Sequence, residues 1–286
     1  MKAINILRAG ILSGLLAVTL FPASQQVSAS SSNNDKSSHS IHWSYSGSTG
    51  PEHWGSIAKE FALCSSGMRQ SPVDIEYDYP AELYPLRFEY QQVPLKVVNN
   101  GHTLQVNYDS PVQQKTVSIA GKSFPIKSKP VYNSKLMLGD VPYKLLQFHF
   151  HTPSEHAVTG ERYAMEVHLV HQSGDGNLAV VGVLLKRGAQ NQILQKVLDN
   201  VSGTINRVNL VTGSSINASD LLPDNRLYFH YTGSLTTPPC SENVNWLVMK
   251  NTMEVSDQQV SRFAQLIGAN ARPLQEVLWR TMLLSE

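Results

Sequence analysis

Gln147-Phe148-His149-Phe150-His151, followed by Glu166-Val167-His168, is the stretch that decides how this chain folds and what it can hold. In an extended strand, residues two apart project to the same side, so His149 and His151 converge while Phe148 and Phe150 face a core. His168 belongs to a second strand-like run, Tyr163 to His171, reached through a connector containing Thr152-Pro153-Ser154 and Thr159-Gly160. Three neutral imidazoles on one divalent ion leave a tetrahedral position open, which is the arrangement of a catalytic rather than a structural zinc. Gln147 precedes His149 by two and Glu166 precedes His168 by two. Each therefore shares a strand face with its imidazole and can accept a hydrogen bond from the ring nitrogen the metal leaves free.

The rest of the chain sets the frame. Lys2 and Arg8, the apolar run Ala9 to Phe21 and the small-residue site Val27-Ser28-Ala29 read as a secretory signal over residues 1–29. The Ser- and Asn-rich residues 30–40 read as a flexible leader, and 41–286 as a single domain large enough for a substantial core. No later segment approaches the roughly 20 apolar residues of a membrane span, so no stable span is expected once the signal is cleaved; an uncleaved anchor is the alternative. Removing residues 1–29 takes away Lys2 and Arg8 and no acid, which turns the formal charge from +1 to −1. Such a balance recruits neither nucleic acid nor anionic lipid. The expected compartment is exported, periplasmic or extracellular. There the two cysteines, Cys64 and Cys240, are expected to form a disulfide, with two buried thiols as the alternative.

Short β-type runs dominate: Leu95 to Asn99, Thr103 to Tyr108, Val117 to Ile119, Lys144 to His151, Tyr163 to His171, Leu178 to Leu185, Leu227 to Tyr231 and Val244 to Val248. Two segments read as helices. Ile193, Leu194, Val197, Leu198 and Val201 share one face; the second has Ser256 and Gln259 as a capping box, Val260, Phe263, Leu266 and Ile267 as its stripe and Gly268 as its stop. The fold class expected is α+β and sheet-dominated, a large twisted, mainly antiparallel β-sheet with a few peripheral helices.

At this point the chain resembles a known family, the alpha-class carbonic anhydrases of the secreted bacterial kind. The likeness runs through His42-Trp43-Ser44-Tyr45, Gly50 to Gly55, Arg69 to Ile75, Asn99-Asn100-Gly101-His102, Gln147 to His151, Ser154-Glu155-His156 and Glu166 to His171. It continues through Leu178 to Gly182, Tyr231 to Pro239 and Asn270 to Pro273, in the family's order. The resemblance implies zinc-dependent, reversible hydration of carbon dioxide to bicarbonate and a proton, with His149, His151 and His168 as the ligands and a hydroxide on the metal as the attacking group. It implies that the Thr236 hydroxyl aims that hydroxide and donates to the Glu155 carboxylate. Val170, Val180, Leu235 and Trp246 would wall an apolar recess for the substrate, with Thr237 beside the product. His102 would carry protons to the cavity mouth, Tyr45, Asn100 and Gln105 would order the intervening waters, and the Asn270 carbonyl would accept from His151. The remaining histidines, His39, His42, His53, His156, His171 and His230, read as structural or surface groups. A small-molecule substrate is the partner expected, and a homodimer is compatible.

Two other readings compete. His149-x-His151-x3-Glu155 also fits the first metal motif of cupins, although Glu-Val-His-Leu-Val-His and Leu-Thr-Thr-Pro-Pro have no place there. A non-catalytic carbonic-anhydrase-like binding protein is the second, and such relatives typically lack one or more ligand histidines.

Overall fold

The computed structural model describes residues 41–76, 79–108, 113–119, 122–128 and 133–286; the signal and leader expected over residues 1–40 lie outside them. Seven strands position the site: β1 (Val93–Asn99), β2 (Leu104–Asn107), β3 (Val141–His151), β4 (Met165–Ser173), β5 (Leu178–Arg187), β6 (Tyr228–Ser234) and β7 (Glu242–Met249). They lie in one 13-stranded sheet in the order β1-β2-β3-β4-β5-β7-β6, with Asn209–Ile216 outside β1 and Leu283–Ser285 then Tyr79–Ala81 outside β6. Most pairings are antiparallel, but β5 runs parallel to β7 and to Met253–Val255, and Leu283–Ser285 parallel to Tyr79–Ala81. The sheet is therefore mixed, as large sheets often are. A single sheet of this order is not the paired-sheet jelly roll of a cupin.

Alternation sorts the residues of each strand onto two faces. On one face Phe148, Phe150, Val167, Leu169, Val181, Val183 and Leu247 join the larger core. Two helices cover it, α1 (Gln192–Asn200) through Ile193, Leu194, Val197 and Leu198, and α2 (Asp257–Ile267) through Phe263. The expected capping box of α2 is formed by Ser256 and Gln259, and Gly268 at φ 84° ends it where an L side chain would be strained. On the other face Val180, Leu184, Tyr231, Val244, Trp246 and Val248 form a smaller core, next to which the site is built.

Strand β3 contains one break in its period. Val170 pairs with Gln147 but His171 pairs with Leu145, so Leu146 is an extra residue, a bulge. Upstream of it the odd-numbered Tyr143 and Leu145 face the larger core, and downstream the even-numbered Phe148 and Phe150 do. The same bulge leaves Gln147, His149 and His151 together on the opposite face.

The short helical turns Trp54–Ile57 and Leu63–Ser66 were not expected from the sequence, because four residues are too few to show a 3.6-residue period. The outer strands Tyr79–Ala81, Leu86–Glu89 and Asn209–Ile216 were also missed; their short or polar runs lack clear alternation.

Candidate metal centre

The register of the central strands brings the three imidazoles together. His149 on β3 stands directly opposite His168 on β4, and His151 opposite Glu166. One ring nitrogen from each of His149, His151 and His168 lies within 4.8 Å of the others. Each ring commits its other nitrogen to an acceptor. His149 Nδ1 donates to Gln147 Oε1 at 2.8 Å, His151 Nδ1 to the Asn270 carbonyl at 2.7 Å, and His168 Nε2 to Glu166 Oε1 at 2.9 Å. The nitrogens left over are thus Nε2 of His149 and His151 and Nδ1 of His168. His151 Nε2 is fully buried and has no hydrogen-bond partner, a condition that costs about 1–3 kcal/mol unless something binds there.

Burial lowers all three imidazole pKa values: His149 well below its ordinary value, with His151 and His168 adding to the effect; His151 to about 4; and His168 against the opposing pull of Glu166. His149 is only partly buried, yet the atoms packed around its ring desolvate it enough for the same direction. Neutral imidazole is the form that ligates a cation. Burial alone would raise the Glu166 carboxyl, but the charges and hydrogen bonds of His156 and His168 outweigh it and hold the group well below the usual carboxylate range.

Glu155 closes the site from the connector between β3 and β4. Its Oε1 accepts the backbone N–H of Arg272 at 2.9 Å. Its Oε2 lies 3.5 Å from His151 Nε2 and 3.8 Å from His168 Nδ1, and has no partner at hydrogen-bonding geometry. Burial raises the Glu155 pKa, while the charge of His168, the Arg272 N–H and the neighbouring Thr236 hydroxyl oppose the rise. Thr236 is therefore beside the carboxylate, and itself buried.

Next to the imidazoles, Val170, Val180 and Trp246 form one row across β4, β5 and β7, because Val170 pairs with Val180 and Val180 with Trp246. Leu235 packs against the same cluster. The Trp246 indole N–H donates to the Ser234 carbonyl at 2.9 Å, and the Cys240 N–H to the Thr237 carbonyl at 2.9 Å, which fixes the segment carrying Thr236 at both ends.

The family profile of the eukaryotic-type carbonic anhydrases matches residues 49–283. The chain belongs to that family. A carbonic anhydrase from Nostoc sp. is 40% identical over 82% of this chain and 83% of its own. One from Klebsiella pneumoniae is 37% identical over 85% and 90%. The solved alpha-carbonic anhydrase of Thermovibrio ammonificans, in complex with the inhibitor sulfanilamide, superposes with a TM-score of 0.75 at 37% identity, over 85% of this chain and 99% of that one.

The carbonic anhydrase fold also explains where the other expected residues fall. His102 is half-buried and stacks on Trp43, ring centres 3.8 Å apart and planes 6° apart. Its pKa is lowered first by burial and then by His42. Asn100 Oδ1 accepts the backbone N–H groups of His102 and Thr103, and Asn100 Nδ2 reaches Gln105 Oε1 at 3.4 Å. Tyr45 packs edge-on against Trp43 and Trp54. His171 points to the other face of β4, as its spacing requires, where its Nε2 meets the Tyr90 hydroxyl. Cys64 and Cys240 are joined in a disulfide.

Several working residues of this carbonic anhydrase escaped the sequence reading. Asn270 was expected to act only through its carbonyl, yet its side chain donates to the carbonyls of His102 and Phe150 and accepts from Thr152 N–H. One residue thereby ties the His102 turn to β3, the strand that carries His149 and His151. Arg272, buried, donates to the carbonyls of Ser71 and Cys64 and to Gln70 Oε1, with its guanidinium over Trp54. Gly182, paired with His168, leaves room for Glu166 Oε1, which a Cβ at that position would meet at 2.9 Å. His156 is bonded to the same carboxylate as His168, at 2.8 Å. Contacts this far apart in sequence leave no local periodicity to detect.

Proposed function

We propose that this chain is an exported zinc carbonic anhydrase, a single domain from residue 41 onward, that interconverts carbon dioxide with bicarbonate and a proton. The observation that carries the reading is the set of three imidazoles turning one nitrogen each to a common point, with His151 Nε2 buried and unpartnered. These donors suit zinc, because three neutral nitrogens leave its dipositive charge undiminished and one position open. When bound, zinc supplies a water acidified enough to act as nucleophile at neutral pH.

The protein's own residues do the rest. Thr236, held between the Trp246 and Cys240 contacts, offers a hydroxyl that accepts a hydrogen bond from the nucleophile while its own hydrogen goes to Glu155. Val170, Val180, Leu235 and Trp246 give an uncharged substrate an apolar wall, and Thr237 offers a hydroxyl to the product. His102 takes the released proton through water ordered by Tyr45, Asn100 and Gln105 and passes it to buffer. The disulfide supports export, since such bonds persist in oxidising compartments.

The deciding experiment is metal analysis with stopped-flow hydration on purified residues 30–286 and on a His168→Ala variant. Near-stoichiometric zinc and hydration far above the buffer rate are expected for the first, and loss of both for the second. A zinc-loaded protein no faster than buffer would end the enzymatic reading and leave the non-catalytic binding protein in its place.

A further inference from the structure

Beyond Arg272 the chain reads Glu276-Val277-Leu278-Trp279-Arg280, and its two bulkiest apolar side chains are turned away from any core. The Arg280 N–H donates to the Val277 carbonyl at 3.2 Å, which closes a tight turn from Val277 to Arg280. Val277 and Met282 pack against the smaller core. The Arg280 guanidinium is buried as well, over the Tyr231 ring, and donates to the carbonyls of Gln70, Glu276 and Val277. Leu278 and Trp279, at the centre of the turn, are left outside, with Trp279 69% exposed. Leu278 also stands at φ 53°, a left-handed conformation that turns normally give to glycine, asparagine or aspartate and that strains a leucine. The turn needs neither side chain in order to close, so strain and exposure together point to a use outside the fold.

The two side chains are not isolated. Met68, Tyr79, Leu274, Leu278 and Trp279, all exposed, line two adjoining hollows of about 620 and 310 Å³ that share Gln275, Glu276 and Leu278. Single apolar residues on a surface need no explanation, but a contiguous patch of aromatic side chains and methionine with a polar rim marks a binding surface. The rim here is acidic. Asp74, Glu76 and Glu276 line the larger hollow, and no ion pair among the described residues engages any of the three. Asp74 accepts only the Gly160 N–H, at 3.1 Å. The one cation lining that hollow, Arg280, has its donors on backbone carbonyls.

Charge selects the occupant. An anionic lipid surface or a nucleic acid would meet three carboxylates, and a symmetric contact with a second copy would set the acidic rim against itself. A basic protein segment meets the reverse. Its apolar side chains cover Trp279 and Tyr79, and an arginine can both pair with a carboxylate and stack on an indole. We propose that the groove walled by Tyr79, Leu278 and Trp279 docks a basic, arginine-bearing segment of a partner protein. None of the groove residues belongs to the metal centre, so docking anchors the chain beside its partner and leaves the imidazoles untouched.

The test pans a phage-displayed library of random peptides on the immobilised mature chain and measures the affinity of the enriched peptides by calorimetry. Enriched sequences should be rich in arginine and carry an aromatic or aliphatic residue. Trp279→Ala should weaken them about tenfold or more, the scale of a truncated interface hot spot. Glu76→Gln combined with Glu276→Gln should also weaken them and flatten the dependence of binding on salt. Both variants should keep the circular dichroism and the hydration rate of the parent, and a variant that stays folded but loses hydration would deny the groove its independence of the metal centre. Failure to enrich any peptide, enrichment of acidic or uncharged sequences, or equal affinity for the Trp279→Ala protein would overturn the proposal. So would wild-type dimers in sedimentation that Trp279→Ala dissolves, because a second copy would then be the occupant, or binding to phosphatidylserine vesicles that the same change abolishes.

Discussion

Replacing Gly182 by alanine sets two effects of opposite sign against each other. The Gly182 backbone is not in the left-handed region, so alanine would by chain entropy alone stabilise the fold by about 0.4–1 kcal/mol. The added methyl, however, would stand 2.9 Å from Glu166 Oε1, 3.6 Å from Val248 Cγ2 and 3.7 Å from Trp246 Cζ3. To regain an ordinary contact the carboxylate oxygen must retreat by ~0.5 Å. It is gripped by His168 at 2.9 Å and His156 at 2.8 Å, and its partner oxygen by two backbone N–H groups, so it cannot swing freely. Losing one such charged hydrogen bond costs about 1.5–3 kcal/mol, which outweighs the entropic gain and leaves a net loss of about 1–2 kcal/mol. Because the strained bond orients a ligand, zinc affinity should also fall by roughly 10- to 100-fold. Urea unfolding of the metal-free protein and chelator competition for zinc read the two effects separately. A Gly182→Ala protein that is more stable than wild type and holds zinc equally well would refute the argument, since Glu166 would then have the freedom denied to it here.

Further outcomes follow from the same contacts. His151 and His171 are buried with pKa values lowered to about 4, whereas in the unfolded chain each titrates near its ordinary value of 6.5. The unfolded state therefore binds more protons below that value, so the stability these groups protect is whole above about pH 6.5 and is lost as pH falls toward 4, by up to about 3 kcal/mol for each. Urea midpoints of the metal-free chain should drop across this window, and a flat profile would contradict it. Reduction of the Cys64–Cys240 disulfide, which closes a separation of 176 residues, removes at most about 4–5 kcal/mol. Because Cys240 N–H holds the Thr237 carbonyl, activity should fall at temperatures where the reduced protein is still folded; equal melting points with and without reductant would count against this. His102→Ala should slow hydration most in dilute, poorly transferring buffer and recover with added imidazole, and a loss independent of buffer would deny His102 its proton role.

The clustering of the three imidazoles was legible because its parts are local. His149 and His151 are two apart, Glu166 and His168 likewise, and a strand's period of two makes such pairs visible in a linear text. The helices were legible for a similar reason: the apolar face of Ile193, Leu194, Val197 and Leu198 recurs at three- and four-residue spacing, and Ser256 caps within three residues of itself. What could not be read is what the sheet assembles from a distance. Tyr231 reaches His156 from 75 positions away and Ser71 from 160, and the role of Gly182 depends on a carboxylate that leans over from the adjacent strand. Family likeness carried Thr236, Glu155 and the apolar wall, each of which would otherwise pass for turn, connector or core. It did not carry His156, which looked like a structural histidine; it is one, and its contact with Glu166 is what that structure serves.

Leu146 gives β3 a half-step offset between its two ends. With it, one continuous ribbon presents Tyr143 and Leu145 inward first and then, after the slip, turns its imidazoles to the opposite face without any loop between. A chain lacking that residue would face a forced choice: seat the aromatic and aliphatic groups upstream and drive the ligands into the interior, or keep the ligands and push Tyr143 and Leu145 out to solvent. Counting by twos from either end of such a strand predicts the wrong side at the other. The position of a chemically inert leucine, rather than its side chain, therefore decides which half of the strand is scaffold and which half is reagent.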